Sequence, residues 1–344
     1  MTADLESEAP GWDAIDKALN TIYPGVEPYH LATMLKWRLG GPDPLDGVSI
    51  YDRGDHWHYV SYGMSELYEK ESDDPDESGW GFEFTFRAAR RDGETEPPRW
   101  AVGLLQNLGR YVFTTGNVFG RGHYMDLNGP ISLDNPQTRL CYVGFALDPE
   151  LGEIATPHGS LAFLQVIGLT EAEYDAAQAW SATSLFGVLS EALPLLVTDI
   201  DRSCTLDAPA VAAAVAQGIA RDGSSSSSSY VTQLDWTGER IVLGAHAAPR
   251  IATALKGRLP FGRPLTVFSS DRELTFEPGD ALARTETDAG LTVTVPAGLL
   301  GPLADALTPM AGVTTVASGL SVEIVPTEIR DEDGNVLYIV GSPT

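Results

Sequence analysis

The chain has 344 residues, of which 43% are hydrophobic and 20% are charged, and its formal net charge is −26. This length favours two domains over one, and the composition is typical of a soluble globular protein. The charge excludes nucleic acids and anionic membranes as favoured partners, because both would be repelled. A basic partner protein would be attracted, although the same charge also fits a protein that is acidic for solubility alone.

Localisation and redox state follow from what the sequence lacks. No apolar run is long enough to span a bilayer, and the N-terminus lacks the basic and apolar zones of a signal peptide, so we expect a cytoplasmic protein. Cys141 and Cys204 are the only cysteines. They make a disulfide framework or a cysteine-ligated zinc site improbable, and we expect both to be small buried residues.

The first elements are a helix and a hairpin. Apolar residues at helical spacing predict a helix over 11–25, and 30–47 reads as an amphipathic stretch or a strand. Aromatic and β-branched residues predict a strand in "HWHYVSYGM" (56–64), and an acidic, proline-containing loop follows over 69–78. The sequence then alternates in "GWGFEFTFRAAR" (79–90), which predicts a second strand and closes the hairpin.

This alternation predicts which side chains are buried. Phe82, Phe84 and Phe86 are expected to point into the core, whereas Glu83, Thr85 and Arg87 are expected to point outward.

Helices and strands alternate irregularly after the hairpin. The patterns predict helices over 100–113, 171–180, 184–193 and 207–223, and strands over 156–169 and 194–200. Thr170 and Glu173 form a capping-box pattern, and Gly223 is placed to cap the last helix.

The serine run 224–229 is the only low-complexity segment and reads as a flexible linker. We therefore predict domains over 1–222 and 231–344, joined by a linker over 223–230. The second domain is expected to contain strands at 240–245, 264–270, 273–278, 291–296, 321–329 and 335–340 and helices at 249–259 and 298–307. Strands and helices mix without regular βαβ units, so the fold class is α+β in both domains.

Catalytic motifs are not recognisable. His56 and His58 share one strand face, but a metal needs further ligands, and the other histidines are scattered. There is no nucleophile elbow and no phosphate-binding loop, and the abundant acids do not single out one acid–base pair. We expect no cofactor, no metal and no enzymatic activity. The alternative is an enzyme with an unrecognised active site in the cleft between the domains.

Six stretches in correct order resemble the Suppressor of fused (SUFU) family. They are "LGGPDPLDGVSIY" (39–51), "HWHYVSYGMSELY" (56–68), "GWGFEFTFRAAR" (79–90), "LLQNLGRYVF" (104–113), "TPHGSLAFLQVIGLTEAEYDAAQAW" (156–180) and "LLVTDIDR" (195–202), and "ALKGRLPFGRPLTV" (254–267) resembles the family's second domain. The resemblance implies two α+β domains that hold an extended peptide of a partner as an added strand in the cleft between them. It makes the histidine pair a scaffold segment and suggests a bacterial member with an immunity role against a polymorphic toxin.

The resemblance also implies where the partner binds. Arg110 and Tyr111 match the family's groove wall, although Tyr111 also continues the apolar face of its helix. His123 and His246 stand where the family has acids, and Arg250 stands where it has a leucine. These three residues are expected to set partner specificity. The loss of two acids makes recognition of Gli-type peptides, which animal members bind, doubtful.

Overall fold

The structure is a computed structural model that describes residues 8–330 and 334–342. The chain divides into two compact units. The first takes the chain through Tyr174 and then Leu185–Ala212, and the second takes Asp175–Ser184 and the chain from Ala213 onward. The predicted boundaries, 1–222, 223–230 and 231–344, stay a prediction. The mixed α+β class is confirmed for both units.

The chain begins with one helix, followed by strands that surround a second helix. The first part contains α1 (Pro10–Ile22), β1 (Tyr29–Ala32), β2 (Gly47–Asp52), β3 (His56–Tyr62), β4 (Glu77–Ala89), α2 (Trp100–Thr115), β5 (Tyr124–Asp126), β6 (Leu140–Leu147), β7 (Glu153–Thr156) and β8 (Gly159–Thr170). Three helices follow, namely α3 (Glu171–Ala179), α4 (Ala182–Ala192) and α5 (Pro209–Asp222). The predicted helices at 11–25 and 100–113 are therefore confirmed.

The strands of the first unit form one eight-stranded sheet. Its order is β1-β2-β3-β4-β8-β6-β5, and β7 pairs with β8 beside this path. Among the strand pairs of this sheet within residues 8–330, only β4–β8 is parallel. Strands β3 and β4 pair antiparallel, which confirms the predicted hairpin. The sheet ends at β1 on one side and at β5 on the other.

Both faces of this sheet are covered. On one face, Phe82, Phe84 and Phe86 pack in a core with the apolar side of α2, as predicted. On the other face, Ile15 and Leu19 of α1 pack in a second core with apolar residues of β2, β3 and β8. None of the helices within 8–330 and 334–342 is both long and apolar enough to cross a membrane.

The second covered face overturns one prediction. Glu83, Thr85 and Arg87 do alternate with the phenylalanines, but their side chains are fully buried rather than solvent-exposed. Alternation of apolar and polar residues shows that a strand has two different faces. The polar residues face solvent only where no other element packs on their face. Here they face the layer that contains α1.

Two further segments differ from the predictions. Residues 194–200 were expected to be a strand, but Pro194–Leu196 form a 3₁₀ turn in which Leu195 and Leu196 adopt φ values of 54° and 53°. The serine run is more ordered than a flexible linker, because Ser228–Tyr230 form strand β9 and Ser224 is buried.

The structure agrees with the predicted helix ends and with the predicted burial of one of the two cysteines. Gly223 follows α5 with φ of 61°, and its N–H donates to Ile219, which confirms the predicted cap. Thr170 N–H donates to Glu173 Oε2 at 2.9 Å, the glutamate half of the capping box. Cys204 is buried as expected, whereas Cys141 is partly exposed.

The second unit combines three sheets. It contains β9 (Ser228–Tyr230), β10 (Leu234–Thr237), β11 (Arg240–Gly244), α6 (Ala248–Arg258), β12 (Leu265–Phe268), β13 (Glu273–Gly279), β14 (Ala283–Thr287), β15 (Gly290–Pro296), α7 (Ala297–Ala306), β16 (Gly312–Ala317), β17 (Leu320–Val325), β18 (Thr327–Arg330) and β19 (Val336–Val340). The sheet orders are β10-β11-β17-β16, β14-β15-β13-β12-β9 and β18-β19. One core joins residues of the two larger sheets with residues of α6 and α7.

Candidate functional site

The histidine pair of β3 lies inside the first unit. His56 is 3% exposed and His58 is fully buried. The Tyr23 hydroxyl lies 2.7 Å from His58 Nδ1, and His58 Nε2 lies 3.2 Å from Asp148 Oδ2. Arg87 donates to both carboxylate oxygens of Asp148 at 3.1 Å. Residues that are distant in sequence therefore form one buried polar network between α1 and the sheet.

The charge state of this network follows from its burial. Burial lowers the pKa of His58 to about 4, so its ring is neutral at pH 7. The neutral ring can accept a hydrogen bond from the Tyr23 hydroxyl at Nδ1. Burial alone would raise the pKa of Asp148, but the nearby His58 ring, the Arg87 charge and the backbone N–H of Leu151 outweigh it and lower that pKa. The ionic pair is therefore Arg87 with Asp148.

Metal binding has no geometric support at this network. Across the part of the chain that the structure describes, no group of three or more His, Cys, Asp or Glu side chains could hold a metal ion. Burial raises the pKa of Tyr23 to about 12, so its hydroxyl remains protonated at neutral pH. The network's evident role is to tie α1 to the sheet.

Tyr111 and His123 of the predicted site are brought to the same part of the first unit. The Tyr111 ring is half-buried and stacks on Phe119 at 5.4 Å, and Phe119 stacks on Phe145 at 4.2 Å. Phe145 N–H donates to the backbone oxygen of His123 at 2.9 Å. Tyr111 is therefore the outer ring of an aromatic stack that reaches the core.

Arg110 contacts a different neighbour. Its guanidinium pairs with Asp43 and donates to Asn107 one turn earlier on α2. About a third of each charged group in the Arg110–Asp43 pair is exposed to solvent. Arg110 is thus engaged within the unit, beside Tyr111 in sequence but not in the same aromatic stack.

His123 directly precedes β5, the strand that ends the eight-stranded sheet. The His123 side chain is exposed, and its Nδ1 accepts a hydrogen bond from the Gly120 N–H at 3.2 Å. Because Nδ1 accepts this bond, the neutral His123 ring carries its proton on Nε2. An edge strand can pair with an extended segment of another chain.

His246 and Arg250 lie in the second unit. His246 is exposed in the turn between β11 and α6. Arg250 is in the first turn of α6, and its NH2 group donates to the Tyr230 backbone oxygen at 2.9 Å. Its Nε atom is buried and has no hydrogen-bond partner among the residues that the structure describes.

Tyr230 connects Arg250 to a second edge strand. It is the last residue of β9, which ends the five-stranded sheet. Its half-exposed ring meets Phe268 edge-on at 5.6 Å. His123 thus lies beside β5 and Arg250 lies beside β9, whereas Arg110 pairs with Asp43 and the His246 N–H donates to Thr327 Oγ1 of β18. Sequence reasoning missed β5 and β9, since each has three residues and neither shows apolar alternation.

Comparisons with known proteins agree with this architecture. The family described as "Suppressor of fused protein (SUFU)" matches residues 41–203. A chain in "the Sufu-Fu complex crystal structure" is 31% identical, with coverage of 61% of this chain and 98% of that chain and a TM-score of 0.55. This chain belongs to the Suppressor of fused family.

Other Suppressor of fused proteins extend the comparison. The Suppressor of fused homologs of Homo sapiens and Mus musculus are each 36% identical over 236 residues, which are 62% of this chain and 48% of theirs. This chain therefore spans about half the length of those relatives. The crystal structure of Drosophila Suppressor of Fused has a TM-score of 0.73 over 98% of both chains at 23% identity, so the fold is shared along nearly the whole length.

Proposed function

We propose that this Suppressor of fused family member is a non-enzymatic protein that binds and sequesters another protein. It takes an extended peptide of the partner as an added strand at β5, at β9, or at both. The observation that carries the proposal is that two positions matched to the family's groove, His123 and Arg250, lie beside strands that end their sheets. Main-chain hydrogen bonds at a sheet edge give affinity, and flanking side chains give specificity.

The flanking side chains favour a partner that differs from a Gli-type peptide. His123 and His246 are exposed and provide no fixed negative charge, whereas Arg250 adds a cation beside the end of β9. The half-buried ring of Tyr111 offers an apolar surface near β5. We therefore propose His123, His246 and Arg250 as specificity positions and Tyr111, with Arg110, as the groove wall. The predicted cleft between the two domains remains part of the proposal.

The partner is proposed to be a basic protein. A net charge of −26 favours fast encounter with a positively charged partner at low salt. Many toxin domains that attack nucleic acids are basic, so we propose an immunity protein that neutralises such a toxin in the bacterial cytoplasm.

Affinity capture with matched variants tests the proposal. The wild-type chain and the Tyr111→Ala, Tyr111→Phe and Tyr338→Ala variants would be used to capture partners from the native host, and the captured protein would be titrated by calorimetry. Loss of a central aromatic contact costs about tenfold or more in affinity, so Tyr111→Ala should weaken binding by at least that factor. Tyr111→Phe keeps the stacked ring and should remain within about threefold of wild type.

The control is an exposed tyrosine in a sheet that contains neither β5 nor β9. Tyr338 is 53% exposed in β19, so Tyr338→Ala should bind like wild type. Capture of the same partner with equal affinity by Tyr111→Ala would contradict the proposal. Turnover of a small molecule by the purified chain would favour the enzyme alternative.

A further inference from the structure

A cavity of about 480 Å³ opens in the first unit, away from the Tyr111 stack. Four aromatic side chains line it, namely Trp37, Tyr68, Trp80 and Phe113. Trp37 meets Phe113 edge-on at 5.5 Å, and Trp80 meets the same ring at 5.6 Å. The lining also includes Met64, which is 1% exposed. The cavity is therefore an aromatic pocket of a size that suits one or two large side chains.

The walls of this pocket are held by polar contacts. Lys36 Nζ lies 2.6 Å from Asp46 Oδ2 and 2.5 Å from the Tyr68 hydroxyl, which fixes the segment before Trp37. The Arg38 guanidinium lies 4.4 Å from the centre of the Tyr68 ring. A pocket whose walls are ordered before binding loses less conformational entropy when a partner enters.

The opposite rim is fixed by one carboxylate. Glu66 Oε1 accepts from the backbone N–H groups of Glu71 at 2.7 Å and Ser72 at 2.6 Å. Burial acts to raise the pKa of Glu66, but these bonds and the Lys70 ammonium outweigh it and lower the pKa to about 2. Glu66 therefore stays charged and keeps the loop closed on itself.

Apolar side chains stand in solvent beside the pocket. Met34 is 103% exposed, Leu39 is 69% exposed and Leu35 is 49% exposed, all on the segment that carries Trp37. Clustered exposed apolar side chains next to an aromatic pocket are typical of protein-binding surfaces.

The acidic loop that follows Tyr68 supplies charge at the same place. Glu69 and Glu71 line the pocket. The stretch 69–77 holds six acids, namely Glu69, Glu71, Asp73, Asp74, Asp76 and Glu77. Its one base, Lys70, pairs with Glu66 and donates to the backbone oxygens of Glu77 and His158. The ion pairs found within 8–330 and 334–342 leave all six acids unpaired.

We propose that this surface is a second docking site, which binds a peptide segment with a large apolar anchor flanked by lysine or arginine. The anchor fills the space among Trp37, Trp80 and Phe113, and the flanking cations face the acidic loop. The site does not depend on the edge strands. Phe113 lies two residues after Tyr111, which is about 200° around α2, so the two rings serve different surfaces.

A phage-displayed library of twelve-residue peptides, panned against the whole chain, tests the proposal. We expect enriched peptides to combine an aromatic or branched aliphatic anchor with lysine or arginine. The most enriched peptide would be synthesised and titrated by fluorescence anisotropy at 50 mM and 300 mM salt. Trp37→Ala should weaken binding about tenfold or more, since it removes one pocket wall. The double variant Glu69→Lys with Glu71→Lys should weaken binding about tenfold at low salt and less at high salt.

Matched control variants distinguish binding at the pocket from nonspecific hydrophobic or electrostatic binding elsewhere on the surface. Leu39→Ser should weaken binding about threefold without disturbing the core. Leu133 is 85% exposed outside the pocket, so Leu133→Ser is the matched control and should bind like wild type. Glu191→Lys changes an exposed charge elsewhere, and Tyr111→Ala tests the edge-strand site; both should bind the peptide like wild type. Enriched peptides without an apolar anchor and cations, or equal binding by Trp37→Ala, Leu39→Ser and wild type, would overturn the proposal.

Discussion

His58 should make folding stability depend on pH in a specific window. Its pKa is about 4 in the folded chain, against 6.5 for an ordinary histidine. Between these values the unfolded chain binds a proton that the folded chain does not. The stabilisation from a neutral His58 is therefore complete above pH 6.5 and is lost as the pH falls toward 4. A difference of about 2.5 between the two pKa values corresponds to about 3 kcal/mol.

The variant His58→Gln removes this titration. At pH 7 it should be less stable by about 1–2 kcal/mol, because the hydrogen bond with Tyr23 is weakened or lost. On going from pH 7 to pH 4.5, wild type should lose about 2–3 kcal/mol more than the variant. The difference in the free energy of unfolding between wild type and His58→Gln should therefore shrink, vanish or change sign as the pH falls from 7 to 4.5.

Urea unfolding followed by tryptophan fluorescence measures this difference, since five of the seven tryptophans belong to the first unit. Comparison with the variant cancels the titration of the many carboxylates. The control is His246→Gln, at an exposed histidine outside the network, which should follow wild type at each pH. A constant gap between wild type and His58→Gln from pH 7 to pH 4.5 would refute the assignment of a buried neutral imidazole.

Three further substitutions test the packing. Asp148→Asn removes the buried carboxylate that accepts two hydrogen bonds from Arg87 and leaves Glu150 as the remaining counter-ion, so it should destabilise the chain by about 2–4 kcal/mol at pH 7. A loss under about 1 kcal/mol in urea unfolding would contradict the buried ion pair. Gly218→Ala should cost at least about 1–3 kcal/mol, because its Cβ would lie 2.2 Å from the Trp180 ring. Gly103→Ala, in open space on α2, should instead raise stability by about 0.5–1 kcal/mol, and thermal unfolding that shifts both glycine variants in one direction would contradict this contrast.

Local patterns in the sequence predict the helices and the hairpin well. Apolar residues at helical spacing mark α1 and α2, and the phenylalanines of β4 mark the main core. Such patterns depend only on residues a few positions apart, so they can be recognised without knowledge of the fold. Chain length and the serine run predicted two domains, and the family resemblance then implied the same architecture.

Contacts between residues far apart in sequence explain the main predictions that were wrong. Arg87 looked like a surface residue because its partner, Asp148, lies 61 positions away in sequence. Residues 194–200 looked like a strand because they are apolar, but Gln165, a buried side chain from β8, donates to the backbone oxygens of Leu195 and Leu196 and holds a turn there. Local propensity cannot reveal either contact.

The candidate site was predictable only in part. The resemblance marked Tyr111, His123 and Arg250, but the strands beside them, β5 and β9, are too short to show a period. Their importance comes from their position at the end of a sheet. That position is set by the order of all the strands and is not visible in any local pattern.

Hydrogen exchange of the chain alone and with its captured partner tests the central claim most directly. Addition of a strand should slow exchange of backbone amides in 123–127, in 228–230, or in both, while amides of the central strands β3 and β4 stay unchanged. A tight complex in which neither edge gains protection would contradict the account.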